Sequence, residues 1–231
     1  VTPTFAALRG EYARLWNSMA IRPGETAALD AVCRRMLAHQ PRYAAVAERT
    51  GVPWPFIAIV HVRESNLSFR GHLHNGDPLT ARTRQVPAGR PKAGAPPFTW
   101  EESAVDALRY HALDRVPDWT VERLAFEFER YNGFGYRRRG LSSPYLWAGS
   151  NHYHRGKYVA DGVFSATAVD KQPGCLPLLQ RLSLMDEGVA RLLGGAAAPP
   201  PLPDVPSPPL APAPEQPSWL SRVLTTIFRR T

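Results

Sequence analysis

The sequence predicts a mostly α, α+β fold: a helical domain with a small β-hairpin or loop lobe, then a proline-rich linker and a short amphipathic helix. Three observations predict it. Apolar side chains recur at helical spacing in separate blocks on either side of residues 67–98. That middle stretch is rich in Gly, Pro, His and Thr and has no helical period. Beyond Leu193 the composition shifts abruptly to Pro, Ala, Gly and Leu. The expected division is a folded domain over 1–193, with the helices of 1–50 packed on it, a linker over 194–217 and a helix over 218–231.

Each element has its own reason. Over 4–19, Phe5, Leu8, Tyr12, Leu15, Trp16 and Met19 share one helical face. Pro23-Gly24 breaks the chain, and a second helix is expected over about 25–39 with Leu29, Val32, Cys33, Met36 and Leu37 inward. A third, over about 41–49, ends at Gly51. Next comes V-P-W-P-F-I-A-I-V-H-V-R-E-S-N from Val52, apolar nearly all round and therefore expected to be buried. Its prolines lie at the start, where a missing N–H costs nothing. In the 67–98 stretch, Asn75-Gly76-Asp77-Pro78 is a turn signal that short strands could flank.

Thr99-Trp100-Glu101-Glu102 is a capping box and opens a helix to about Leu113. Another begins near Trp119-Thr120 and ends at Y-N-G-F-G-Y, 131–136, where Gly133 offers a left-handed cap. Residues 137–174 read as irregular and aromatic, either a ligand-facing wall or a surface loop whose rings plug the core. A last domain helix is expected over about 176–193. In 218–231, Trp219, Leu220, Val223, Leu224, Ile227 and Phe228 form an apolar stripe beside Arg222, Arg229 and Arg230. It is too short to span a bilayer. It suits an anionic membrane surface, a protein partner, or packing back on the domain.

Lys and Arg number 28 against 20 Asp and Glu, a net charge of +8, which points to a polyanionic partner. Six Trp and eight Tyr suit stacking on sugars as well as on bases. No zinc finger, Gly-rich phosphate loop or RNA-binding aromatic signature is present, so nucleic acid is not the expected partner. Cys33 and Cys175 fit no metal spacing; they either pair outside the cytoplasm or stay as buried thiols. The first residues, V-T-P-T-F-A-A-L-R-G-E, show no signal-peptide core.

Glu64 is the candidate of most consequence. A carboxyl at a helix C-terminus is disfavoured by the dipole, and partial burial there resists ionisation further. A carboxyl kept protonated near neutral pH is what general acid catalysis needs. The competing view is a surface Glu that happens to end a helix. Glycoside cleavage usually shares its work between two carboxyl groups. The best second acid is Asp77, which a loop folding back over the helix end would bring across a cleft. Asp before Pro equally serves its own turn. Thr80 and Thr83 could position a water, and His72 and His74 the substrate. His72 and His74, with Asp77, could be read as a metal site, but no further strong ligand is near and the chemistry needs no metal, so no metal and no cofactor are expected.

The segment R-E-S-N-L-S-F at 63–69 resembles the Glu-Ser segment that closes the catalytic helix of lysozyme-like lytic transglycosylases and goose-type lysozymes. The order helix, then β-loop, is similar too. Y-N-G-F-G-Y resembles the Asn-bearing, Gly-rich segment that lines the transglycosylase cleft. Together with H-L-H-N-G-D-P-L-T, P-P-F-T-W-E-E-S-A and S-P-Y-L-W, these segments resemble bacterial and phage-associated peptidoglycan hydrolases over about residues 40–172. The resemblance implies a lysozyme-like helical fold and cleavage of the β-1,4 bond between N-acetylmuramic acid and N-acetylglucosamine in peptidoglycan glycan strands. It carries over Glu64 as acid, with Ser65 beside it, and Tyr131 and Asn132 as cleft residues; Tyr136, Tyr145 and Trp147 are expected to face substrate. Asp77 has no secure counterpart in the transglycosylases, which work with one carboxyl and release anhydro ends. Its presence leans the expectation toward an endolysin-like, muramidase-type hydrolase, with a lytic transglycosylase or a non-catalytic wall-binding module as alternatives. Such a protein would act in the periplasm or cell wall, by a phage or other route that needs no visible signal peptide.

Overall fold

The computed structural model describes residues 2–160 and 162–194. In α1 (Phe5–Asn17), the Thr4 hydroxyl accepts the Ala7 N–H and starts the helix. Its Phe5 and Tyr12 rings meet Phe126 edge-on. α2 (Thr26–Ala38) buries Leu29, Cys33 and Met36. α3 (Gln40–Thr50) stops at Gly51, which takes a φ of 70°, open to glycine without strain. α4 (Trp54–Ser65) is apolar all round because it is enclosed all round: every residue from Phe56 to Val62 is at most 3% exposed. α5 (Trp100–Tyr110) starts with both halves of the Thr99–Glu102 capping box formed. α6 (Val121–Asn132) starts where the Thr120 hydroxyl accepts the Arg123 N–H.

Behind α6 come the short α7 (Pro144–Trp147) and a two-stranded antiparallel sheet of β1 (Lys157–Ala160) and β2 (Val163–Ser165). α8 (Cys175–Ser183) and α9 (Glu187–Leu192) close the described residues. α1 lies on α6, α2 on α8, and α3 on both α4 and α5. α4 contacts α3, α6 and α8, so the helix that ends in Glu64 runs through the core. Cys33 and Cys175 are separate, buried free thiols, and Cys33 donates to the Leu178 carbonyl. No described helix is long and apolar enough to cross a membrane.

Of the two alternatives for 67–98, hairpin or ordered loop, the loop forms; one isolated bridge joins Gly71 to Pro78, and the loop is held by the His72 N–H on the Asp77 carbonyl at 2.7 Å. Three local expectations are corrected. The sheet lies instead at 157–165, inside the stretch read as irregular. There Asp161-Gly162 between Tyr158-Val159 and Val163-Phe164 carried a hairpin signal. The last helix is two, because the Asp186 carboxylate accepts the Val189 N–H and caps a fresh start. Gly133 has positive φ but an extended ψ of 151°, so α6 does not end in a left-handed turn. The linker beyond Gly194 and the amphipathic segment 218–231, with its membrane or partner docking, lie outside the described residues.

Candidate active site

α4 ends when Asn66 and Leu67 both turn to positive φ, 50° and 62°. The turn 71–78 then comes back onto the helix end. A Cβ on Gly76 would stand 2.9 Å from the Glu64 carbonyl oxygen, so only a glycine lets the two backbones lie this close. The expected fold-back of the loop over the helix is therefore present.

Glu64 is partly exposed as a residue, while its carboxyl is largely walled by protein. Tyr145 donates its hydroxyl to Oε1 at 3.0 Å. Oε2 has no hydrogen-bond partner among the described residues and is not sealed from solvent. Burial pushes the carboxyl up to about 7, against the opposing pull of the Tyr145 hydroxyl and the Arg63 guanidinium. Tyr131 lies within the electrostatic reach of Glu64 and donates to the Leu73 carbonyl at 2.9 Å, pinning the turn to α6. Burial first, and the Glu64 charge second, raise both phenols well above the usual tyrosine range, so they remain donors.

Behind Tyr145 stands a buried ion pair. Arg63 is 7% exposed and reaches Asp170 Oδ2 and the Pro173 carbonyl, both at 3.0 Å. Its guanidinium carbon sits 4.7 Å from the centre of the Tyr145 ring. Burial opposes ionisation of Asp170, yet Arg63 and then Lys157 hold its carboxyl below the usual carboxylate range. The Tyr153 hydroxyl accepts the Asp170 N–H, and Gln172 donates to the Arg63 carbonyl. The segment after β2 is thus clasped to the helix that carries Glu64.

Of the residues expected at the site, Glu64, Tyr131 and Tyr145 come together. Asp77 is engaged in its own turn. Its Oδ2 accepts from the Asn75 side chain and from the backbone N–H groups of Arg84 and Gln85, so it works as a turn residue and loop brace. His72 is fully buried between the Ser103 hydroxyl and the Ala81 carbonyl. His74 is buried against Asp106, which Arg90 also grips; burial holds its imidazole down at about 4, against that carboxylate. Thr83 is buried and bonds the Pro87 carbonyl and the Arg90 N–H. Trp147 is buried beside His152.

These four side chains are buried and spend their surface on the loop and core. Tyr136 is likewise buried, its hydroxyl accepting the Tyr158 N–H. Ser65 bonds only its own neighbourhood, at His61 and Ser68. Thr80 and Asn132 are exposed. Sequence reasoning missed Arg63, Asp170 and Gln172. The available signal was an arginine in a helix too apolar to reach solvent, which demands a buried carboxylate.

A concavity lies elsewhere, between α2 and residues 169–173, and its lining does not include Glu64. No family model, curated protein or solved structure matches this chain.

Proposed function

We propose that the chain is a peptidoglycan-cleaving glycosidase of lysozyme type, with Glu64 as general acid on the β-1,4 bond between N-acetylmuramic acid and N-acetylglucosamine. One observation carries this: a carboxyl raised to about 7 with one oxygen held by Tyr145 and the other open. The resemblance of 63–69 and 131–136 to the transglycosylase segments supports the same view, as does the positive charge, since the wall is anionic. On this reading the protein works in the periplasm or cell wall.

Oε2 gives its proton to the bridging oxygen as the C1–O bond breaks. Tyr145, still bonded to Oε1, stabilises the carboxylate left behind. That carboxylate then takes a proton from the oxygen that attacks C1. If the attacker is water, the product has a reducing end. If it is the muramic acid's own 6-hydroxyl, the product is one water lighter and carries an anhydro end. The placement of Asp77 favours the second route. Its Oδ2 already accepts three N–H hydrogen bonds, and no other carboxyl among the described residues acts on Glu64.

The test is muropeptide release from purified sacculi. Glu64→Gln should lose activity by about a thousandfold, as expected for removal of a general acid, with an unchanged circular dichroism spectrum. A Gln variant as lytic as the parent rejects the assignment. Sedimentation with sacculi but no released ends from the parent makes the protein a wall-binding module. Mass analysis of the ends distinguishes hydrolase from transglycosylase.

A further inference from the structure

The concavity between α2 and residues 169–173 has a volume of about 430 Å³. That is the size of a small-ligand site. Its floor is apolar, from Leu29, Val32 and Pro173. Its rim carries both signs of charge. Arg22 spends Nη2 on Glu25 at 3.0 Å and leaves Nη1 without a partner and open to solvent. Lys171 is exposed and has no partner among the described residues. Glu25 offers a second carboxylate oxygen for an ammonium group.

The cleft is joined to the candidate active site. Asp170 and Gln172 line it, and both hold Arg63, the residue before Glu64: Asp170 through the guanidinium, Gln172 through the carbonyl. A ligand seated there would lie one residue layer from the acid.

We propose that this cleft binds the peptide stem of the wall polymer, so that the preferred substrate is a glycan strand bearing peptides. The inference rests on the function proposed above. Among wall components, the stem peptide alone combines carboxylates for Arg22 and Lys171, an amine for Glu25 in stems with a diamino residue, and alanine methyls for the floor. A strand stripped of its peptides offers this rim only the lactyl carboxylate of each muramic acid, with no ammonium for Glu25 and no alanine methyls for the floor.

The experiment compares the parent with Arg22→Ala/Lys171→Ala on intact sacculi and on strands whose peptides an amidase has removed. Free L-alanyl-D-glutamyl-diaminopimelyl-D-alanine is titrated into both proteins by calorimetry. The expected results are a KM about fivefold higher for the variant on peptide-bearing strands, with kcat unchanged, no change on stripped strands, and loss of tetrapeptide binding. A parent that cleaves both polymers with the same KM, or a variant that matches the parent on both, overturns the proposal while leaving the glycosidase assignment intact. Should the parent cleave neither polymer, the glycosidase assignment falls and the titration alone decides. Tetrapeptide heat that disappears in the variant sustains the cleft, and no heat from the parent ends it.

Discussion

Glu64 makes the site sensitive to pH in two ways. The first is catalytic. In the proposed function the acid must be protonated, so activity should fall as pH rises through about 7. The Tyr145 hydroxyl favours the charged carboxylate. Tyr145→Phe should therefore move the alkaline limb of the kcat/KM profile upward, and lower kcat because the carboxylate left after proton transfer loses its donor. A limb that moves downward or stays put contradicts the bond. The second is thermodynamic. The folded carboxyl titrates near 7 and the unfolded one near 4.5, so the unfolded state loses its proton first as pH rises. The contribution of Glu64 to stability is fully present below about 4.5 and lost as pH passes to 7. The loss is on the order of 2–3 kcal/mol, taken low because one oxygen faces solvent. Glu64→Gln should thus be the more stable protein above pH 7, and thermal melts of the two variants across pH 4 to 8 measure the difference. The raised carboxyl was legible in the sequence as an acid ending an oily helix. Its Tyr145 partner was named only as a substrate contact, because 81 residues separate the two and no local pattern encodes such a bond.

Among the elements, α4 depends on what meets its end. Gly76 lies against the Glu64 carbonyl with a φ of +79°. Gly76→Ala should cost about 1–3 kcal/mol in chemical denaturation, from the unfavourable backbone region and the lost approach, and should lower activity more than a surface change of equal cost. Asp170→Asn leaves the Arg63 charge buried without its partner. That should cost about 3 kcal/mol or more and loosen the ring stacked on the guanidinium. The helices themselves were readable from the chain. The Thr99 and Thr120 caps, Gly51 and the apolar faces of α1 to α3 are local signals, and each appears where expected. What escaped was set by distance or by competition. The strand pairing went to 157–165 because the 71–78 turn uses its backbone groups on itself and on the hydroxyls of Ser103 and Tyr131. His72, His74 and Thr83 carry polar chemistry at exposed-looking positions, yet Thr83 is spent inside the loop and the two histidines on α5.

At the scale of the molecule, the net charge of +8 has a measurable role in the proposed function. Residues 195–231 set Arg222, Arg229 and Arg230 against Asp204 and Glu215, so most of the excess belongs to the rest of the chain. Co-sedimentation of Glu64→Gln with sacculi should fall severalfold as salt rises from about 0.1 M to about 1 M, while the Debye length shrinks from about 10 to 3 Å. Binding that ignores salt would mean that recognition is carried by the aromatic and peptide contacts alone. The sequence could state this total but could not distribute it, since Arg63, Arg90, Arg137 and Arg181 are all committed to internal carboxylates.

The interior placement of both sulfurs supplies an unplanned gauge. Burial lifts the Cys33 thiol to about 12 and Cys175 higher still, so neither is a thiolate at ordinary pH. A maleimide dye added to the native protein would find nothing to alkylate until the helices part. The rate of labelling would then count excursions to the opened chain, and its slowing under an inhibitor would report occupancy without any assay of the reaction.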